Sequence, residues 1–203
     1  MFTGIVQKIG SQVEGFSFGD KVALEPGIPC RICAICKLGK YNLCQNVHFL
    51  ATPPVDGALE RYIVHPADFC YRLPNSISLD EGAMMEPLSV GIHASTRAKI
   101  SMGNRVLIMG AGPIGLATLL AAKAAGAGFI AVVDLVSSKL NVAKALGADV
   151  IRLDKNIDEL PKKINLPPDG IVSIKIDKRT GLKAESDSRN SIFEYYLEEH
   201  LPR

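Results

Sequence analysis

A chain of 203 residues that is 47% hydrophobic and 22% charged has the composition of a folded globular protein, not of a disordered or fibrous one. Its net charge of +2 is close to balance, and no basic run is interleaved with aromatics, so nucleic acid is not an implied partner. The longest uncharged stretch, 106–122, is broken by Gly110, Gly112, Pro113 and Gly115 and reads poorly as a membrane span. Residues 1–10 lack the parts of a signal peptide, which makes a cytoplasmic location the expectation.

In chain order, residues 1–86 read as a β-rich domain. GIVQKIG (4–10) and DKVALEP (20–26) are short β-rich runs between glycine-containing turns. ALERYIVH (58–65) alternates apolar with polar residues as a half-buried strand does. Ser78 followed by Glu81 has capping-box spacing, and 79–98 then carries apolar residues at helical intervals, with Pro87 as a kink or break. After a polar turn at 101–104 come RVLIMG (105–110), a run suited to a strand buried on both faces, an Ala- and Leu-rich helix (113–127), and FIAVVD (129–134), a second buried strand. An amphipathic helix (137–148) and a short strand (149–153) complete one half of a doubly wound sheet over 87–155. Residues 156–203 form a divergent tail that does not continue the alternation. It holds a Pro-Pro-Asp-Gly turn, one strand candidate at 171–176 and a short amphipathic helix at 191–200.

Cys30, Cys33, Cys36 and Cys44 lie with gaps of two, two and seven residues in a chain with only one other cysteine. In a reducing compartment thiols clustered in this way hold metal more often than they pair as disulfides, although two disulfides or four free thiols remain the alternative. Four thiolates close the tetrahedral shell of Zn2+, leaving no position for water or substrate, so this zinc is structural. Cys70, in an apolar run, packs as a small hydrophobe.

GAGPIG follows one strand and opens a helix. Gly110, Gly112 and Gly115 permit the tight turn, the approach of a pyrophosphate and close helix packing, while the helix N-terminus offers free N–H groups. Asp134 ends the next strand, where a carboxylate can take both ribose hydroxyls and repel a 2′-phosphate, which favours NAD over NADP. A glycine-rich βα turn that binds something else is the alternative.

The cysteine lobe, GDKVALEPG, FLATPPVDGALERYIVHPADFCYRLP, EPLSVGIHA and GAGPIG with its downstream VVDL resemble the zinc-dependent medium-chain dehydrogenases, specifically their sorbitol (polyol) branch. The resemblance runs from Gly4 to about Leu153, and the ATPP and EPLSVGIHA stretches carry the assignment to the polyol branch. It implies an α/β chain with a GroES-like β-rich catalytic domain and a Rossmann domain, both incomplete here. It also implies NAD-linked oxidation of a polyol's secondary alcohol to a ketose, and it allows a homo-oligomer. By resemblance the four cysteines match the structural zinc lobe, and Ile114, Asp134 and Lys139 fall where NAD is contacted. Phe49 and Thr52 match positions lining the substrate pocket, and Glu86 matches the glutamate that faces the catalytic zinc and its water. His48, His65, His93 and His200 lack the spacing of a zinc pair, and none is expected as a catalytic base.

The resemblance also places the other catalytic zinc ligands, a cysteine and an adjacent histidine and glutamate, at or ahead of Met1. Because a catalytic zinc needs three protein ligands and an open position, the expectation is structural zinc and nucleotide binding with turnover impaired. A non-catalytic zinc- and nucleotide-binding fragment, or a fusion product, is the alternative. The tail is similar to the C-terminal end of bifunctional penicillin-binding proteins, yet its KRTG is not an active-site Lys-Thr-Gly and no Ser-x-x-Lys accompanies it, so no transpeptidase activity is implied.

Overall fold

The computed structural model describes residues 2–152 and the backbone of three later strands, Ile171–Asp177, Gly181–Asp187 and Ile192–Tyr196. Two compact units divide after Glu86.

In the first unit, β1 (Phe2–Ile5), β2 (Lys21–Leu24) and β5 (Cys70–Arg72) form an antiparallel sheet in the order β1-β2-β5, with Phe2 opposite Leu24 and Leu24 opposite Cys70. Between β2 and β5 run β3 (Gly27–Ile28), the four-residue helix α1 (Ala34–Lys37) and β4 (His48–Phe49), β3 and β4 pairing as a second small sheet. Val22, Ala23, Leu24, Phe69 and Leu73 make the core. Each large apolar side chain so buried contributes about 1.5–3 kcal/mol. Helix α2 (Leu79–Ala83) starts with the expected capping box: Glu81 N–H donates to Ser78 Oγ at 3.1 Å, and Ser78 N–H donates to Glu81 Oε2 at 2.8 Å.

Three readings of this stretch change. The first strand sits earlier than 4–10, since it pairs with β2 only from Phe2, opposite Leu24, to Ile5, opposite Lys21. Residues 58–65 form no strand, and Leu59, Tyr62 and Val64 stand exposed. Alternation records which face a strand would bury, but a strand forms only where a neighbour supplies the hydrogen-bond ladder. The long helix breaks at Met84, not at Pro87, which lies in the first turn of α3 (Met85–Arg97), where a missing N–H costs nothing.

In the second unit β6 (Arg105–Met109), α4 (Pro113–Ala124), β7 (Phe129–Asp134), α5 (Ser137–Ala145) and β8 (Asp149–Arg152) alternate as read, with β6, β7 and β8 parallel. Val106, Ile108, Val132, Leu119, Leu140 and Ala143 build one apolar cluster, joined by Ala94 and Ala98 of α3. The strands run continuously apolar because both faces of a parallel sheet are covered by helices.

The sheet does not end with that half. β9 (Ile171–Asp177) lies parallel on the free side of β6, Arg105 opposite Ile171, and β10 (Gly181–Asp187) and β11 (Ile192–Tyr196) follow antiparallel, giving the order β11-β10-β9-β6-β7-β8. β9 covers the strand expected at 171–176 and takes the place beside β6 where the strand order reverses, while the antiparallel β10 and β11 after it are not parallel strands of the strand–helix alternation. The helix expected over 191–200 is overturned across Ile192–Tyr196. That run, Ile-Phe-Glu-Tyr-Tyr, is β-branched and aromatic, and five residues cannot separate a period of 3.6 from one of 2. The rest of that expected helix, His200 and the Pro-Pro-Asp-Gly turn lie outside the described residues.

Candidate functional site

Two sets of residues carry chemistry, one in each unit. The first is the cysteine lobe. Cys30 follows β3, Cys33 is the N-cap of α1, Cys36 sits inside that helix, and Cys44 follows a single 3-10 turn, Tyr41–Leu43. Their four sulfurs lie within 4.8 Å of one another, with Cys30 and Cys36 at 4.0 Å and Cys33 and Cys44 at 4.0 Å. A tetrahedral zinc–thiolate site has sulfur–sulfur edges of about 3.8 Å, from metal–sulfur bonds of about 2.3 Å. The sulfurs therefore stand almost where a Zn2+ would hold them, and no disulfide joins any of the five cysteines.

Backbone donors prepare the thiolates. Cys36 N–H donates to Cys33 Sγ and Cys30 N–H donates to Cys44 Sγ, each at 3.4 Å. The backbone N–H groups of Cys33 and Ile32 favour the Cys30 thiolate and bring its pKa down to about 6. Burial, with the neighbouring thiols, pushes Cys36 up to about 12. Four sulfurs so close cannot all ionise without a cation among them, and a divalent metal removes that conflict. Among the described residues this is the sole group of three or more His, Cys, Asp or Glu side chains placed to hold a metal. Cys70 stands apart, half-buried, with its thiol on the Pro66 carbonyl at 3.4 Å, and burial raises its pKa.

The second set is the turn between β6 and α4. Gly110 adopts a φ of 112°, in the region closed to side chains, and its N–H donates to Val133 O at 2.7 Å. A Cβ on Gly115 would run into the Gly110 carbonyl, so the third glycine is what lets α4 start so close to the strand. Gly112 is the N-cap of α4, Pro113 opens it, and Ile114 sits in its first turn. Asp134, at the end of β7, accepts from Ala111 N–H through Oδ2 and from Val136 N–H through Oδ1, both at 2.8 Å. Burial works against its charge, but these N–H groups, with Lys139 nearby, hold the carboxyl below its ordinary range. Lys139 is exposed in the first turn of α5. A fixed carboxylate thus stands beside the free N-terminus of α4, the arrangement a dinucleotide's ribose and pyrophosphate need.

The remaining expected residues are placed but not assembled into a centre. Phe49, in β4, lies over Gly27 and is 40% exposed, and Thr52, whose N–H donates to Phe49 O at 3.1 Å, is exposed in the turn after it. Glu86 is half-buried in the first turn of α3. His48 and His93 are exposed, while His65 Nε2 donates to the Glu25 carbonyl at 3.0 Å. Sequence reasoning passed over Arg31, Tyr41, Glu25 and Asp68, ordinary in type, which tie the lobe to the sheet. Arg31 donates to both Asp68 oxygens at 2.6 and 2.9 Å, and Tyr41 and Tyr71 both donate to Glu25 Oε2.

Residues 1–75 match the alcohol dehydrogenase GroES-like domain. The chain is 51% identical over 162 residues to L-idonate 5-dehydrogenase of Vitis vinifera, covering 79% of this chain and 44% of that one. It is 50% identical over 173 residues to sorbitol dehydrogenase of Bos taurus, covering 85% and 48%. Among solved structures, galactitol-1-phosphate dehydrogenase of Escherichia coli superposes with a TM-score of 0.78 at 31% identity, covering 85% of this chain and 50% of that one. The chain spans about half the length of the curated relatives it matches. No helix among the described residues is long and apolar enough to cross a membrane.

Proposed function

We propose, for a chain that is kin to the sorbitol and L-idonate dehydrogenases of the zinc-dependent medium-chain group, that it serves the NAD-linked oxidation of a polyol's secondary alcohol to a ketose. The observation that carries this reading is the Asp134 carboxylate, pinned by Ala111 N–H at the mouth of the GAGPIG turn and backed by half-identity to two polyol-type dehydrogenases. NAD, when bound, supplies the hydride acceptor. The chain's own part is binding and orientation. The free N–H groups at the start of α4 take the pyrophosphate, and Ile114 packs beside it. Asp134 accepts from the adenosine ribose hydroxyls and, being charged, disfavours a 2′-phosphate, with Lys139 next to the same ribose.

In the first unit, Cys30, Cys33, Cys36 and Cys44 hold a structural Zn2+ that cross-links their loop. Phe49 offers an apolar wall and Thr52 a hydroxyl to the polyol. Glu86 supplies the carboxylate on the reacting side. A small polyol is the substrate, the cytoplasm the proposed location and a homo-oligomer the proposed assembly.

The test is NADH formation by the purified, zinc-loaded protein with sorbitol, xylitol or L-idonate, together with NAD affinity measured on its own. Asp134→Asn is expected to weaken NAD binding about tenfold, equivalent to about 1.4 kcal/mol, and to narrow the preference over NADP. Binding of NAD without any turnover would favour a non-catalytic zinc- and nucleotide-binding protein. Absence of NAD binding would overturn the reading at its root.

A further inference from the structure

Resting on the metal-lobe part of that reading, we propose that Asp68 and Phe69, outside the cysteine loop, are positioning residues that preset its four sulfurs and so set how tightly the lobe holds a thiophilic divalent cation. The lobe has little core of its own: Ile32 is 76%, Leu38 74% and Leu43 56% exposed. Something other than burial must therefore order the ligands before a metal arrives.

Both halves of the ligand set are tethered to one short stretch. Arg31 lies between Cys30 and Cys33 with φ at 65°, a left-handed conformation that residues with a side chain rarely adopt. Its guanidinium is thrown across to Asp68, gripping both carboxylate oxygens, and lies over the Phe69 ring with 5.2 Å to the centroid. Tyr41, whose carbonyl accepts from Cys44 N–H at 3.0 Å, meets the same Phe69 ring edge-on at 5.9 Å. Its hydroxyl reaches Glu25 at 3.3 Å, where Tyr71 also donates at 2.8 Å. Arg31 thus fixes the loop that carries Cys30 and Cys33, and Tyr41 fixes the turn that delivers Cys44, on a single platform.

The consequence is thermodynamic. A metal that binds only the assembled loop binds more weakly by the fraction of time the loop is not assembled. Each tether that survives without metal prepays part of the ordering cost. The forked geometry demands arginine, because an ammonium group cannot match two carboxylate oxygens at once. The pair is half-exposed, so its leverage is modest and screened by salt.

The experiment is a Co2+ titration of the metal-free, reduced protein, following the thiolate-to-cobalt absorption, on the wild type, Asp68→Asn, Arg31→Lys, the double variant and Asp68→Glu. Asp68→Asn and Arg31→Lys are each expected to weaken Co2+ binding about fivefold while reaching the same spectrum at saturation. The double variant should lose no more than either alone, and Asp68→Glu, which keeps the acceptor fork, should stay within about twofold of wild type. Undiminished affinity in both single variants would overturn the proposal and leave the metal lobe standing. Losses that add in full would overturn it too, because a pair can be broken only once. Absence of the thiolate band in the wild type would overturn the metal reading along with it.

Discussion

The cysteine lobe and the GAGPIG turn are built on opposite principles. Around the turn, β6, β7 and α4 bury Ile108, Leu119 and Val132 completely, and the geometry at Gly110, Ala111 and Asp134 rests on that core. The lobe stands on two short helical turns with no fully packed aliphatic side chain, and its order comes from sulfur, backbone donors and a few polar tethers. A site founded on burial exists before its ligand arrives. A site founded on ligands shares the cost of its order with the metal it binds.

That contrast is broken most sharply by removing the metal. Thiolate zinc sites bind with about 10–16 kcal/mol of free energy, much of it folding energy. Chelation, or Cys44→Ser at the one buried ligand, is expected to open residues 30–44 to proteolysis while the second unit's thermal transition stays in place. Equal protection of the loop with and without metal would show that the tethers alone suffice.

The converse experiment is Ile108→Ala. A fully buried branched side chain in the middle of β6 leaves a cavity on removal, and the second unit is expected to lose about 2–5 kcal/mol in urea denaturation, with its NAD affinity falling as the turn loosens. Metal content should not change. A loss below about 1 kcal/mol would mean that the site does not lean on this core.

How much of this was readable from the chain alone follows from the same contrast. Gly110, Gly115 and Asp134 were legible because their constraint is local: a strand end, a turn that excludes Cβ, a helix start and the next strand end, all within 25 residues. The four cysteines were legible from spacing. Asp68 was not, because it is an exposed acid 37 residues from Arg31, and nothing in its type or neighbours distinguishes it from any other surface carboxylate. Residues 58–65 were misread because strand identity belongs to a pair, and their pattern describes only one member of it. Glu86, Phe49 and Thr52 would have passed as a helix carboxylate and two loop residues without the family resemblance, and their positions in α3, in β4 and in the turn after β4 do not by themselves gather them.

The smallest expected effect tests the platform side of the lobe through pH. His65 donates to the Glu25 carbonyl in a half-buried position, and burial holds its pKa below the ordinary value, although the charges of Asp68 and Glu25 pull the other way. The unfolded chain, with a histidine pKa of about 6.5, therefore takes up its proton first as pH falls. The contribution of His65 to stability should be flat above about pH 7.5, decline as pH drops through about 6.5, and level off below the folded value, because there both states carry the proton. Urea midpoints of wild type and His65→Gln at pH 7.5 and 5.5 isolate this residue from the exposed His48 and His93, since only the difference between the two proteins counts. A greater acid loss in the wild type than in His65→Gln is the expected result. A greater loss in the variant would mean that Asp68 and Glu25 outweigh burial, and that the lobe's anchor is electrostatic on this side as well.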